Sequence, residues 1–205
     1  MNQEIRELFC QIDHQNMSSR IAFQCAPVIA GLKVSNLLTT PSTEDAIVKK
    51  ELAGTGLSCM KLAEDRGRST FIVYRKKELE EWLLERSNQL YLKESGLAGR
   101  CLDGVLTKVR IRYQLYVEKE GQYPHEIGIL LGYPVEDVKG FVVNKGRNCL
   151  GSSYWKIYSN PVEKKKLFRE FDNARIRIME LLLTGIGLNA LIRKAAPAFA
   201  ETPAA

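Results

Sequence analysis

Histidine is scarce in this chain, and its cysteines are widely spaced. Only His14 and His125 occur among 205 residues, and the five cysteines form no Cys-x-x-Cys pair. Structural zinc sites need clustered cysteine or histidine ligands, and small disulfide scaffolds need an even, denser cysteine set. The sequence therefore predicts no metal ion, no cofactor and reduced thiols, most of them small buried hydrophobes.

Long apolar runs are also missing. The most apolar stretch, Leu181 to Ile192, spans twelve residues and includes two glycines. A membrane-spanning helix needs about twenty apolar residues. The first residues, MNQEIRELF, are charged and lack the apolar core of a secretory signal. We therefore expect a cytoplasmic protein with no membrane span.

Acidic residues are fewer than basic ones, which gives a formal charge of +6. This excess indicates an anionic partner, such as nucleic acid, a membrane surface or an acidic protein. A solvated basic surface that only maintains solubility explains the same charge. Because the basic residues are scattered and no nucleic-acid reader motif occurs, nucleic acid is an unlikely partner.

The chain does contain patterns typical of helices and of a few strands. Apolar residues at helical spacing predict helices over 2–13, 41–54, 76–92, 103–119 and 160–183. The runs GLSCMKL and STFIVYR flank a turn and predict a β-hairpin, and YWKIY predicts another strand. Together, these elements predict an α+β fold with a helical N-terminal half and a small antiparallel sheet. We expect one domain over 1–195 and a disordered tail over 196–205.

Cys25 is the candidate nucleophile. Pro27 suits the opening turn of a helix, so a helix should begin almost at Cys25, where unpaired amides lower the pKa of a thiol. His125 is the candidate base because it stands at the mouth of an apolar run, whereas His14 lies in a polar segment. The plain alternative is a buried core cysteine and a histidine that caps an element.

Four further residues complete this hypothesis. A third group should orient the imidazole of His125, and Asp137 and Asn144 are the candidates. The backbone N–H of the cysteine, with Gln24 or Ser19 as a side-chain donor, would bind the oxyanion of an acyl intermediate.

Two segments carry a family resemblance. The stretches QCAPVIAGLK and YPHEIGILLGYPVEDVKGFVVNKG resemble a family of uncharacterised bacterial proteins known only as a domain of unknown function, family 3793. The resemblance extends from about Asn16 to Phe171, and it implies no activity.

The same segments resemble a compressed papain-type arrangement, in which a cysteine opens the central helix and a histidine begins a strand. Here His125 leads the apolar run that ends at Tyr133, and Asn144 follows. The resemblance implies a compact papain-like catalytic domain over 1–195. Two departures matter. Ser19 stands where papain-type enzymes have a glutamine, and the insert PVEDVKGF makes Asp137 slightly preferred over Asn144 as the third member.

Papain-like relatives include proteases, amidases and transacylases. This chain is similar to the small transacylases of thiotemplated, ribosome-independent peptide assembly, such as that of closthioamide. The resemblance implies that Cys25 takes an acyl chain from the phosphopantetheine thioester of an acidic carrier protein. A small amine then accepts the chain as an amide. The positive charge of the chain suits such a carrier.

Two alternatives stay open. One is a papain-like peptidase or amidase that uses the same residues with water as the acceptor. The other is a non-catalytic basic module that binds nucleic acid or an acidic protein.

Overall fold

The computed structural model describes residues 3–200, with side chains up to Ala195. The helices of this region are α1 (Gln3–Gln11), α2 (Met17–Ile29), α3 (Asp45–Leu52), α4 (Lys76–Leu84), α5 (Arg86–Glu94), α6 (Leu102–Val117), α7 (Ile127–Leu130), α8 (Val135–Val143), α9 (Pro161–Leu183) and α10 (Leu188–Ala200). The strands are β1 (Ser35–Pro41), β2 (Ser58–Asp65), β3 (Arg68–Tyr74), β4 (Gly151–Ser152) and β5 (Lys156–Ile157). The predicted α+β class is confirmed.

A three-stranded antiparallel sheet, in the order β1-β3-β2, forms the centre of the fold. The predicted hairpin is present as β2 and β3, and its turn residues Arg66 and Gly67 both have positive φ, at 47° and 72°. This conformation matches the right-handed twist of paired strands, and glycine adopts it without steric cost. The local sequence therefore specifies the hairpin well.

Helices cover both faces of this sheet. Successive residues of β3 point to opposite sides, so Phe71 and Val73 pack into a core with α2 and α10. Ile72 and Tyr74 pack into a second core with residues of α4, α6 and α7. The central strand is therefore buried on both faces.

A third, smaller core lies beside these layers. Trp155 and Ile157, from the β4–β5 hairpin, pack against Phe168 and Phe171 of α9. This cluster attaches the hairpin to α9. The attachment matters because the hairpin and the preceding α8 form one wall of the site described below.

Several predicted boundaries were wrong. β1 was not predicted, because its sequence SNLLTTP has little alternation. The predicted 76–92 helix is two helices separated at Glu85, whose backbone is extended. There the buried Asn88 donates a hydrogen bond of 2.7 Å to the carbonyl of Trp82, which satisfies one end of the broken helix.

The predicted disordered tail is only partly described. The helix α10 extends to Ala200, and 201–205 lie outside the described residues, so the disordered tail stays a prediction. Between residues 3 and 200, the helices lack the combination of length and apolar character that a membrane crossing requires. The cytoplasmic location stays a prediction.

Candidate functional site

Cys25 lies inside α2, not at its start. The helix begins at Met17, and the thiol is fully buried in the core that α2 shares with α9 and α10. Pro27 is tolerated within the helix because a partner compensates for its missing N–H. The carbonyl of Phe23, four residues earlier, accepts a hydrogen bond of 3.3 Å from Nε of Arg175 instead. The predicted helix start at Cys25 is therefore wrong.

The surroundings of Cys25 oppose thiolate formation. Burial raises the pKa of the thiol to about 12, and the nearby cations Lys33 and Arg175 only partly offset that rise. A nucleophilic cysteine needs a lowered pKa and access to its substrate. Cys25 has neither property in this structure, which therefore gives no support to its predicted role and agrees with the buried-core alternative.

Both predicted oxyanion donors lie in α2. The backbone N–H of Ser19 donates to Oδ1 of Asn16 in the N-terminal cap of this helix. The side chain of Gln24 pairs with the backbone of Thr39, accepting from its N–H at 3.1 Å and donating to its carbonyl at 3.4 Å. Neither residue lines the cavity that contains His125, so the structure gives no support to this part of the prediction.

His125 lies on the wall of a separate cavity of about 300 Å³. Most of the side chains around this cavity are apolar or aromatic, and its polar groups come mainly from a few residues of the segment 123–156. The lining residues are Leu37, Tyr123, His125, Ile127, Gly128, Leu131, Tyr133, Asp137, Val138, Phe141, Ser152, Tyr154, Trp155 and Lys156. Cys25 does not line this cavity, so the structure does not bring the predicted pair together there.

Aromatic rings hold the imidazole of His125 in place. Its ring centroid lies 5.4 Å from that of Tyr123 and 5.7 Å from that of Phe141. His125 precedes the short helix α7 rather than a strand. The strand that a papain-type arrangement would place after the histidine is therefore replaced by a helix.

Asp137 lines the same cavity, but other groups occupy its carboxylate. Oδ1 accepts hydrogen bonds from the backbone N–H groups of Tyr158 and Ser159, at 2.7 and 3.2 Å. Oδ2 accepts from Nε1 of Trp155 at 2.8 Å and pairs with Nζ of Lys164 at 2.8 Å. Asp137 therefore fixes the wall of the cavity, and the contacts of its carboxylate give no support to the prediction that it orients His125.

Asn144, the alternative third member, ends α8. Its side-chain amide donates a hydrogen bond of 2.8 Å to the carbonyl of Gly140, in the preceding turn. It does not line the cavity of His125. The structure therefore gives no support to Asn144 as the residue that orients His125.

The most apolar wall of the cavity is an aromatic stack. Tyr133 and Trp155 stack with centroids 4.8 Å apart, and Nζ of Lys33 lies 5.3 Å from the Tyr133 ring. Burial raises the pKa of Tyr133 to about 12, so its phenol stays neutral. Burial also lowers the pKa of Lys33 to about 7, and Nζ donates to Oδ1 of Asn36 at 2.7 Å.

Lys156 supplies the cationic group of the cavity wall. Its Nζ lies 5.8 Å from the ring of Phe141 and donates a hydrogen bond of 2.6 Å to the carbonyl of Gly146. Sequence reasoning missed Lys156 and the aromatic residues around it. The dense block YPHEIGILLGYPVEDVKGF contains Tyr123, Tyr133 and Phe141, whereas Trp155 and Lys156 lie outside it.

Comparison with known proteins identifies one family. A family model described as "Protein of unknown function (DUF3793)" matches residues 21–192. The chain belongs to this family. The predicted resemblance to this family is thereby confirmed, whereas the papain-type resemblance stays a prediction. Every residue that lines the His125 cavity lies within the DUF3793 match. No curated protein and no solved structure matches the chain.

Proposed function

We propose that this DUF3793 chain binds a small molecule with an apolar body and an anionic group in the His125 cavity. The observation that carries the proposal is the cavity itself, with its volume of about 300 Å³ and its aromatic lining. Ligand sites are typically concave and mostly apolar, with a few polar groups that orient the ligand. Here the imidazole of His125 and the ammonium of Lys156 are such groups.

The charge around the cavity favours an anionic group on the ligand. The segment 138–162 contains the basic residues Lys139, Lys145, Arg147 and Lys156, and it contains no acidic residue. The same segment supplies six of the lining residues, from Val138 to Lys156. Lys164 pairs with the carboxylate of Asp137, and Glu94 pairs with Lys139, so Lys145, Arg147 and Lys156 supply the excess positive charge. An anion near Lys156 therefore meets a positive field.

Octanoate is a suitable probe, because it joins an apolar chain to a carboxylate. We expect calorimetric titration to show binding that Ser152→Trp weakens by about tenfold or more, since the indole fills the cavity. Ser153→Trp is the matched control, because Ser153 is the exposed neighbour that does not line the cavity. Equal affinities for the two variants would disprove binding at this site.

The anionic part of the proposal has its own test. Lys156→Gln should weaken octanoate binding and leave the binding of the neutral analogue octanol unchanged, because only the carboxylate interacts with the ammonium. Lys145→Gln, in the adjacent loop and outside the lining, should leave both affinities unchanged. If octanol binds as tightly as octanoate to the unaltered chain, the ligand needs no anionic group.

Acyl transfer is a second candidate, in a form that does not use Cys25. The observation in its favour is that His125, the imidazole in the cavity wall, is half-buried and flanked by apolar surface. An apolar cavity with a basic rim suits an acyl chain delivered by an acidic carrier protein as a phosphopantetheine thioester. The predicted carrier protein and small amine acceptor are therefore retained as proposed partners.

In this form, the amine attacks the thioester carbon directly. The imidazole of His125 accepts a proton from the amine as the C–N bond forms. The C–S bond then breaks, and the imidazolium returns the proton to the departing carrier sulfur. The products are an amide and the free carrier thiol, and the enzyme is unchanged.

Single-turnover assays with an octanoyl carrier protein and a primary amine test this candidate. We expect His125→Gln to lower the rate by about 100-fold or more, because a general base contributes about 10²–10⁴-fold. Cys25→Ala and the matched control His14→Gln should retain the rate. If intact-protein mass spectrometry found an acyl adduct on the unaltered chain and none on Cys25→Ala, the covalent mechanism would be restored and the direct one disproved.

The remaining alternatives have less support. A papain-like peptidase or amidase needs the same activated Cys25, whose burial opposes it. A nucleic-acid module stays a prediction, and it requires binding that weakens steeply with salt. An acidic protein partner is compatible with both proposed functions.

A further inference from the structure

A second cavity, of about 440 Å³, lies where α1 and α2 meet one end of the central sheet. It shares no lining residue with the His125 cavity. We propose that this second cavity is a binding site for an aromatic anion, a molecule that joins a flat ring to a carboxylate or phosphate. The proposal is independent of the function proposed above.

A cluster of tilted aromatic rings forms one side of this cavity. The centroid of Phe9 lies 4.7 Å from that of Phe23 and 4.1 Å from that of His14, at interplanar angles of 50° and 43°. Phe9 and Phe23 are only half-buried, so part of this aromatic surface is accessible in the described chain. Aromatic rings favour further rings in offset or edge-on contact, so a flat ring on the ligand would add to this cluster.

Two guanidinium groups form the other side. Arg20 pairs with Glu44 through a terminal nitrogen, but its Nε is buried and has no hydrogen-bond partner in the described part of the chain. A buried donor without an acceptor is unfavourable. Because Nε is shielded from the cavity, a carboxylate or phosphate oxygen would supply the acceptor only after the guanidinium turns towards the ligand.

Arg68 adds a positive charge that is not neutralised nearby. It begins β3, its side chain is exposed, and no ion pair involves it within residues 3–200. Arginine forms paired hydrogen bonds to carboxylates and phosphates. Glu44 is occupied by Arg20 and by the hydroxyl of Thr40, so its charge is already balanced.

The remaining polar residues explain why the site selects charge rather than a neutral polar group. Gln24 and Thr39 also line the cavity, but the amide of Gln24 is already paired with the Thr39 backbone. The two arginines are therefore the cationic groups left to bind a ligand, beside His14 and the hydroxyl of Thr39. Phe9 and His14 precede residue 21, where the DUF3793 match begins, so the site depends on a segment outside that match.

Calorimetric titrations of the full chain with adenosine 5′-monophosphate and with indole-3-acetate test the proposal. These probes carry a phosphate and a carboxylate, respectively, on a flat ring, so they distinguish the two anions. We expect at least one probe to bind, and its neutral counterpart, adenosine or indole, to bind about tenfold more weakly. If neither probe binds, or if the neutral compounds bind equally well, the proposal is wrong.

Arg68→Glu and Arg66→Glu form a matched pair of variants. Arg66 lies in the turn of the same hairpin, its side chain is 87% exposed, and it does not line the cavity. Both variants make the same charge change on the surface. Arg68→Glu should lower the affinity for the probe by about tenfold or more, and Arg66→Glu should leave this affinity nearly unchanged. Equal losses of affinity in the two variants would show that probe binding depends only on the overall surface charge, and this result would disprove a specific site.

Discussion

Nε1 of Trp155 donates a hydrogen bond of 2.8 Å to Oδ2 of Asp137, and this contact joins the β4–β5 hairpin to α8. The same carboxylate oxygen pairs with Nζ of the buried Lys164. A hydrogen-bonded buried ion pair of this kind is costly to break on one side, because the remaining charge is left without a partner. Asp137 therefore holds together the elements that enclose the His125 cavity.

Asp137→Asn should lower the free energy of unfolding by about 3–5 kcal/mol, since Lys164 would lose its buried counter-charge. Urea denaturation measures this change. Glu136→Gln is the matched control, because Glu136 also contacts Lys164, at 3.2 Å, but is 52% exposed. Glu136→Gln should lower the free energy of unfolding by less than about 1 kcal/mol. Similar losses for the two variants would show that Asp137 has no special structural role.

Cys25 should resist alkylation in the folded protein. Burial raises the pKa of its thiol to about 12, so the thiolate is almost absent at pH 8. Cys10 and Cys101 are exposed and serve as internal controls. After brief treatment with iodoacetamide, peptide mass spectrometry should find the label on both exposed cysteines and not on Cys25. Rapid labelling of Cys25 in native protein would contradict its burial.

Lys33 should make stability increase with pH above neutrality. Its folded pKa is lowered by burial to about 7 from 10.5, so the unfolded chain binds more protons between these values. Stability therefore rises with pH through this window and is lowest below it. From pH 6.5 to 8.5, we expect the free energy of unfolding to rise by about 1–2 kcal/mol from this group.

Lys33→Met removes the titrating group and should flatten this pH dependence. Urea denaturation at several pH values below 8.5 compares the variant with the unaltered chain, and the groups nearest the amine, Cys25, Asn36 and Arg175, are kept. A slope that persists in the variant would assign the pH dependence to another residue.

Gly140 allows α8 to approach the residue that follows β5. A Cβ at this position would lie 2.5 Å from Cβ and Cγ of Tyr158. Gly140→Ala should therefore lower the free energy of unfolding by about 1–2 kcal/mol, even though alanine favours a helix. Gly151→Ala is the control, because its Cβ would meet only ordinary contacts of 3.5 Å and longer. Thermal or urea unfolding of both variants provides the comparison.

Local signals predicted several elements well. The Asp65–Arg68 turn and the flanking apolar residues specify the β2–β3 hairpin, and Asn160 followed by Pro161 marks the start of α9. In contrast, the apolar run after His125 fitted a strand or a short helix equally well. The structure shows the helix α7, whose residues are all buried. Such a run has no polar face, so its periodicity does not distinguish the two forms.

The error at Cys25 has a specific tertiary cause. Proline inside a helix normally breaks it, because the ring removes one backbone donor. Here Arg175, 152 positions away from Phe23, donates the compensating hydrogen bond. That contact depends on how α9 packs against α2, so the residues around Pro27 do not reveal it.

The α+β class, the hairpin, α9 and the family resemblance follow from the sequence alone, because each rests on neighbouring residues or on a recognisable segment. The burial of Cys25 in the core and the place of His125 in the wall of an aromatic cavity become visible only in the folded chain. The tertiary structure also gave Asp137 its structural partners. The physical reason is that burial, and the pKa values that burial shifts, come from contacts between elements distant in sequence, which local periodicity does not encode.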